Sequence, residues 1–169
     1  IATFTRFDIP VLGFTDDYVL YADVDVMFVS DINLASFDTL PKYMLCGTES
    51  HKEGTLDISK KNFYANAGII LYNMRFMRSS HEEFINFAFS DDSMERGLHY
   101  GKFGPGDQGA YNQFYDGLMT VVASAPFNYK PYWEDATETS HVSIVHWHGP
   151  KVADYGEYLT DCKKTVLYE

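Results

Sequence analysis

The stretch Tyr18–Val29, YVLYADVDVMFV, constrains this chain more than any other. Its β-branched and aromatic residues predict a buried strand. Two aspartates, Asp23 and Asp25, lie in its middle and flank Val24. Residues i and i+2 of a strand face the same side, so the pattern predicts neighbouring carboxylates in an apolar setting. Two like charges ~4 Å apart repel by roughly 4 kcal/mol at an effective dielectric of ~20. Burial without a partner adds to that cost. A divalent cation relieves both, and all-oxygen ligands favour Mg²⁺ or Mn²⁺, ions that also hold phosphates. The alternative is a solvated strand-end pair, and the apolar surroundings weigh against it.

Charge limits what such a site can serve. With 13 Lys and Arg against 24 Asp and Glu, the formal net charge is 13 − 24 = −11. A duplex-binding surface needs clustered Lys and Arg, so nucleic acid is excluded as the expected partner. An anionic ligand held through a metal ion remains compatible with this charge. The 169 residues, 46% of them apolar, suffice for one domain with a real core. No apolar run approaches the ~20 residues of a membrane span, and no signal peptide is visible. Cys46 and Cys162 are too few for a disulfide framework or a zinc site, and free thiols in a reducing compartment are expected. The corresponding expectation is a cytoplasmic protein, with the Golgi lumen as the alternative should an anchor precede Ile1.

Elsewhere strands alternate with helices. Residues 1–9 read as the end of a helix stopped by Pro10, and Ser30–Asn33 as a turn before a short helix. Tyr43–Thr48, Ala67–Tyr72, Thr120–Ser124 and Val142–Trp147 read as strands. His81–Phe89 has helical spacing at Phe84, Ile85, Ala88 and Phe89. Gly101–Gly109 reads as a glycine-rich loop, with a helix beginning at Ala110–Tyr115. Pro126–Trp133 reads as an aromatic loop, where Tyr129, Tyr132 and Trp133 are expected as core or as a sugar-stacking face. The polar stretch 49–61 reads as a loop and the tail Tyr155–Glu169 as a helix. The class is α/β.

A second cluster, IVHWHGPK, spans Ile144–Lys151. His146 and His148 are i, i+2, and an imidazole suits Mn²⁺ beside two carboxylates. Gly149 permits close backbone approach, and Lys151 supplies a point charge suited to phosphate.

In order, ATFTRF, VLYADVDVMFVSDI, FYANAGIILYNM, GPGDQGAYNQFY, FNYKPYW and VHWHGPK resemble the GT-A glycosyltransferases, most nearly the family 8 type that includes glycogenin and bacterial galactosyltransferases. The resemblance covers nearly the whole chain. It implies a GT-A, Rossmann-like, mixed and mostly parallel sheet flanked by helices. It implies a single domain over residues 1–169 whose N-terminal nucleotide-binding strands lie upstream of this sequence. It implies Asp23, Asp25 and His146 as metal ligands, with Asp23 also near the donor ribose. Gly149 and Lys151 match diphosphate contacts, and Arg6 a basic residue reaching the donor. Asn66, Ala67 and Gly68 match the segment lining the donor sugar pocket, and Asp107 and Gln108 the pair beside the reacting carbon. In the family pattern H-x-x-G-x-x-K-P-W the lysine falls one residue later than Lys151 does here.

The activity so implied is metal-dependent transfer of a sugar, of the hexosyl type, from a nucleoside-diphosphate sugar to an acceptor hydroxyl of a glycan, protein or small molecule. Uridine is the implied base, Mn²⁺ or Mg²⁺ the implied cofactor, and retention the implied stereochemistry. Gln108 would stabilise an oxocarbenium-like state, with Asp107 orienting sugar hydroxyls rather than attacking. The alternatives are a binding-only nucleotide-sugar or metal module and a sugar nucleotidyltransferase.

Overall fold

The computed structural model describes residues 2–49, 64–122, 124–130 and 142–147. Among the described residues six strands form two sheets: β1 (Tyr18–Ala22), β2 (Val26–Phe28), β3 (Met44–Thr48), β4 (Ala65–Asn73), β5 (Thr120–Val122) and β6 (Ile144–His146). The larger sheet has the order β1-β4-β3-β5, and β2 pairs with β6 in the smaller. The helices are α1 (Met74–Ala88), α2 (Asp91–Glu95), α3 (Gly106–Phe114) and α4 (Ser124–Phe127), with 3-10 turns at Ala2–Val11, Leu34–Ser36 and Gly101–Phe103.

The sheet is mixed, as expected, but parallel pairing is scarcer than expected among the described residues. Strand β4 runs against both of its neighbours, β1 and β3, and the parallel pair is β3 with β5. Strand β4 has one apolar set for each face. Ile70 and Tyr72 pack with Phe7, Phe84, Tyr111 and Tyr115 under the helices. Ile69 and Leu71 pack on the other side with Phe37, Leu45, Phe127 and Ile144. This period of two explains why Ala67–Tyr72 reads as a continuous apolar run: both faces are covered.

Helix α1 places Met74, Met77, Phe84 and Ala88 on its buried side. The ring of Phe84 stacks on Tyr111 at 4.9 Å and meets Phe7 edge-on at 4.6 Å. Truncating such a buried ring to alanine costs about 3–5 kcal/mol. The helix ends at Phe89, and Ser90 caps α2 by accepting from the Ser93 amide at 3.3 Å. The expected helix start at His81 is too late by seven residues, because Arg75, Arg78 and two serines dilute the apolar pattern of the first turns.

Three further sequence expectations change. The stretch Tyr18–Val29 is two strands in different sheets, broken at Asp23–Asp25. Asp107, Gln108 and Gly109 belong to the first turn of α3 and not to a loop. Residues 124–127 form the short helix α4, where the sequence pattern predicts a strand end and a loop. No helix among the described residues is long and apolar enough to cross a membrane. Cys46 is a free thiol buried in β3, and burial pushes its pKa up to about 12. Cys162, the 50–61 part of the polar loop and the tail expected to be helical lie outside the described residues.

Candidate metal and donor site

The break at Asp23–Asp25 creates the site. A strand through both aspartates would bury two charges side by side; the turn lets them keep contact with water. Val24 between them is fully exposed, opposite to what a buried strand demands. The turn is tied at both ends. The Asp23 amide donates to the Gly68 carbonyl on β4 at 2.8 Å, and the Trp147 amide donates to the Asp25 carbonyl at 2.8 Å. Asp23 therefore sits over the large sheet and Asp25 beside the end of β6.

His146 completes the group from the other side. It is buried, pairs with Val26 across the small sheet, and brings Nε2 to 3.5 Å from Asp25 Oδ1. One ligand atom from each of Asp23, Asp25 and His146 lies within 4.8 Å of the others. Two carboxylates and one imidazole fit Mn²⁺ or Mg²⁺ by ligand type, with positions left for oxygen donors from elsewhere.

Arg6, in the N-terminal 3-10 turn, joins this group to α3. Its Nη2 donates to Asp23 Oδ1 at 2.9 Å, its Nη1 donates to the Ala67 carbonyl, and its Nε lies 2.8 Å from Asp107 Oδ2. The last contact is an ion pair rather than an aligned hydrogen bond. The guanidinium also stacks 4.7 Å from the Tyr21 ring centroid. The Tyr21 hydroxyl donates to Asp23 Oδ1 at 2.5 Å. Burial, reinforced by that hydrogen bond, pushes the phenol pKa well above its ordinary value, so it remains a donor. Burial likewise raises the Asp107 carboxyl above the usual range, with Arg6 pulling the other way.

Backbone amides fix the orientation of the neighbouring side-chain amides. The Gly68 amide donates to Asn66 Oδ1 at 3.0 Å, which leaves Asn66 Nδ2 to donate to Glu49 Oε2 at 2.6 Å and Gln108 Oε1 at 3.2 Å. Gln108 Oε1 also accepts from the Ala67 amide at 3.1 Å. Asn112 grips the start of β4, accepting from the Ala65 amide at 2.7 Å and donating to its carbonyl at 2.8 Å. The structure thus brings Arg6, Asp23, Asp25, Asn66, Ala67, Gly68, Asp107, Gln108 and His146 into one neighbourhood. His148, Gly149 and Lys151 lie outside the described residues, as do Tyr132 and Trp133. Tyr129 is buried with Val142, Val145 and Trp147, the core outcome of its two expectations.

Sequence reasoning missed Tyr21, Glu49 and Asn128. Asn128 lies inside the FNYKPYW stretch, where the aromatic residues drew the reading and a single amide carries no periodic signal.

No protein-family model and no curated protein matches the sequence. Solved structures do match. The galactosyltransferase LgtC, determined with donor and acceptor sugar analogues, superposes with a TM-score of 0.64 at 21% identity over 97% of this chain. The glycosyltransferase GlyE of Streptococcus pneumoniae gives 0.61 at 19% identity over 89%. Mouse xyloside xylosyltransferase 1 gives 0.51 at 14% identity over 87%. The fold is therefore the GT-A fold of glycosyltransferases, resembling the family 8 type. This chain spans 66% of LgtC, 39% of GlyE and 63% of the xylosyltransferase.

Proposed function

We propose that this protein transfers a sugar, of the hexosyl type, from a nucleoside-diphosphate donor to an acceptor hydroxyl with the help of a divalent metal. The observation that carries the reading is the meeting of Asp23, Asp25 and His146 within 4.8 Å. They come from two distant stretches of chain and lie beside Arg6 and Asp107, inside a GT-A fold. Uridine as the base, Mn²⁺ or Mg²⁺ as the ion and retention of configuration follow from the family resemblance. Gly149 and Lys151 are the proposed diphosphate contacts on the same resemblance.

Asp23, Asp25 and His146 would hold the cation. When bound, it supplies Lewis-acid stabilisation of charge on the departing diphosphate. The chain's own residues do the rest. Arg6 holds Asp23 and Asp107 at fixed spacing, so neither carboxylate swings when the donor enters. Asn66, Ala67 and Gly68 form the wall on which Gln108 rests. Both lone pairs of Gln108 Oε1 are engaged by that wall, at the Ala67 amide and Asn66 Nδ2. The amide nitrogen of Gln108 is then the part that serves the sugar, as a donor to its hydroxyls. In this proposal Gln108 orients the sugar through its N–H groups, in place of stabilising a cationic sugar, which an N–H donor does not do. Asp107, beside it, orients a sugar hydroxyl. A glutamine-to-glutamate exchange in LgtC is described as an active-site mutant, which accords with a glutamine having a role at such sites.

The test is a thermal-shift titration with Mn²⁺ and UDP, separately and together, on wild type and Asp25→Ala. A ligand at about 100 times its dissociation constant adds about 2.7 kcal/mol of stability. The expected result is a UDP shift that requires Mn²⁺ and is absent in Asp25→Ala. Release of UDP from UDP-hexoses then separates a transferase from a binding-only module. Absence of any shift with Mn²⁺, alone or with UDP, overturns the metal-dependent reading.

A further inference from the structure

A chain of oriented amides runs from the backbone of β4 to the imidazole of His146. It starts at a group whose role is not open to choice: the Gly68 amide donates, so the Asn66 atom 3.0 Å away is the acceptor Oδ1. That oxygen also receives Asn128 Nδ2 at 3.1 Å. Since Nδ2 points to Asn66, Oδ1 of Asn128 points the other way, and it lies 2.7 Å from His146 Nδ1. An amide oxygen accepts only, so Nδ1 of His146 carries the hydrogen. In the neutral ring Nε2 then holds the lone pair, and Nε2 is the atom facing Asp25.

We infer that Asn128 is a positioning residue that fixes His146 as the Nδ1–H tautomer, with its Nε2 lone pair turned towards Asp23 and Asp25. Three features build this arrangement. Asn128 is fully buried, so no water competes for its amide. The segment carrying it runs alongside β6: the Tyr129 amide donates to the Ile144 carbonyl at 3.1 Å and the His146 amide to the Tyr129 carbonyl at 2.7 Å. Finally, glycines make room on both sides. A Cβ on Gly68 would stand 2.1 Å from His146 Cε1, and a Cβ on Gly47 would stand 2.6 Å from Asn128 Cβ. The imidazole and the amide are therefore seated against bare backbone and held by a bond whose direction that backbone dictates. Partners of this kind fix the ring orientation of metal-binding histidines, and their loss costs 10–100-fold in metal affinity.

The inference deepens the metal reading and rests on it for its purpose, while the tautomer is testable without an ion. The experiment uses nitrogen-15 correlation spectra of the histidine rings in the metal-free protein, at a pH where imidazole is neutral. Expected in wild type is a protonated Nδ1 and an unprotonated Nε2 for His146. Asn128→Leu, which keeps the branched shape and removes the acceptor, loses this preference. Asn128→Asp keeps an acceptor for Nδ1 but loses the donor to Asn66 Oδ1, so it retains the tautomer at a cost in stability. Titration of wild type and Asn128→Leu with Mn²⁺ follows, with a 10–100-fold rise in dissociation constant expected for the variant. A wild-type ring protonated at Nε2, or an unchanged tautomer in Asn128→Leu, overturns the inference. An affinity for Mn²⁺ unchanged within twofold in Asn128→Leu does so too. Should Asn128→Leu fail to fold, the wild-type ring signals still decide. If wild type binds no Mn²⁺, the metal reading fails, and the ring signals separately uphold or overturn the role of Asn128.

Discussion

Arg6 and Asp107 meet at 2.8 Å, and the same guanidinium holds Asp23 at 2.9 Å. One buried cation thus serves two carboxylates on different elements. Lysine has the charge but not the fork that reaches both acceptors and the Ala67 carbonyl. Arg6→Ala is expected to lower stability by about 3 kcal/mol, the low end for a buried pair stripped of one partner, because both carboxylates keep some contact with water. Arg6→Lys is expected to restore part of that stability and little of the activity. Urea unfolding with a parallel assay of UDP release checks both, and full activity in Arg6→Lys would refute the forked role.

Asp23 and Asp25 were legible in the sequence as a pair because carboxylates inside an apolar run demand a reason. Their backbone was not legible. The run YVLYADVDVMFV has no glycine or proline to mark the break, and the turn arises from desolvation and from bonds to Gly68 and Trp147, far away in sequence. Strand β4 was legible over Ala67–Tyr72 from continuous apolar residues buried on both faces, while its extension to Ala65 and Asn73 was not. Helix α3 was half legible: its aromatic residues have helical spacing, but Gly104–Gly109 reads as a loop, and a helix beginning at Gly106 departs from propensity. The candidate ligand His146 was singled out from His148 by resemblance alone, since both share a face by spacing. The amides that orient it, Asn66 and Asn128, belong to a network spanning 62 residues of sequence, which no local pattern encodes.

The raised pKa of Asp107 makes a pH prediction. Burial is the larger influence and favours the protonated carboxyl in the folded protein. The folded state therefore holds this proton more tightly than the unfolded chain. The associated stability is present in full below the unfolded pKa and is lost as pH rises through the folded one. Asp107→Asn lacks this dependence. Relative to wild type, the variant should therefore gain stability as pH rises through the ordinary carboxylate range and above it. Chemical denaturation of both proteins at several pH values reads the difference directly; a gap that stays constant, or moves in favour of wild type, would contradict the buried setting of Asp107.

Asn112 behaves like an extra strand residue presented by a helix. Its side chain satisfies both backbone groups of Ala65 and also donates to the Gln108 carbonyl at 2.9 Å. Asn112→Ala leaves the buried Ala65 amide and carbonyl without these partners, at about 1–3 kcal/mol for each unsatisfied group. Because Asn66 follows Ala65 directly, loosening this end of β4 should also raise hydrogen exchange at Asn66, Ala67 and Gly68. Exchange confined to α3, with these three amides still protected, would mean that Asn112 supports its helix rather than the pocket wall.

Gly68 offers the sharpest separation between a backbone need and a site need. It does not adopt a positive φ, so alanine is compatible with its backbone. What excludes a side chain is the His146 ring, with Cε1 2.1 Å and both ring nitrogens 2.9 Å from the position a Cβ would take. The ring has little room to retreat, because His146 is buried, its amide is bonded to Tyr129, and Nδ1 is held by Asn128. Gly68→Ala should therefore cost about 1–3 kcal/mol of stability through overpacking. It should weaken Mn²⁺ binding by displacing Nε2 from the two aspartates, while β4 stays paired. In a His146→Ala background the glycine substitution meets no ring and should cost less than it does in wild type, which a double-mutant cycle reads. If Gly68→Ala costs as much with His146 absent as with it present, the glycine serves the strand and not the histidine.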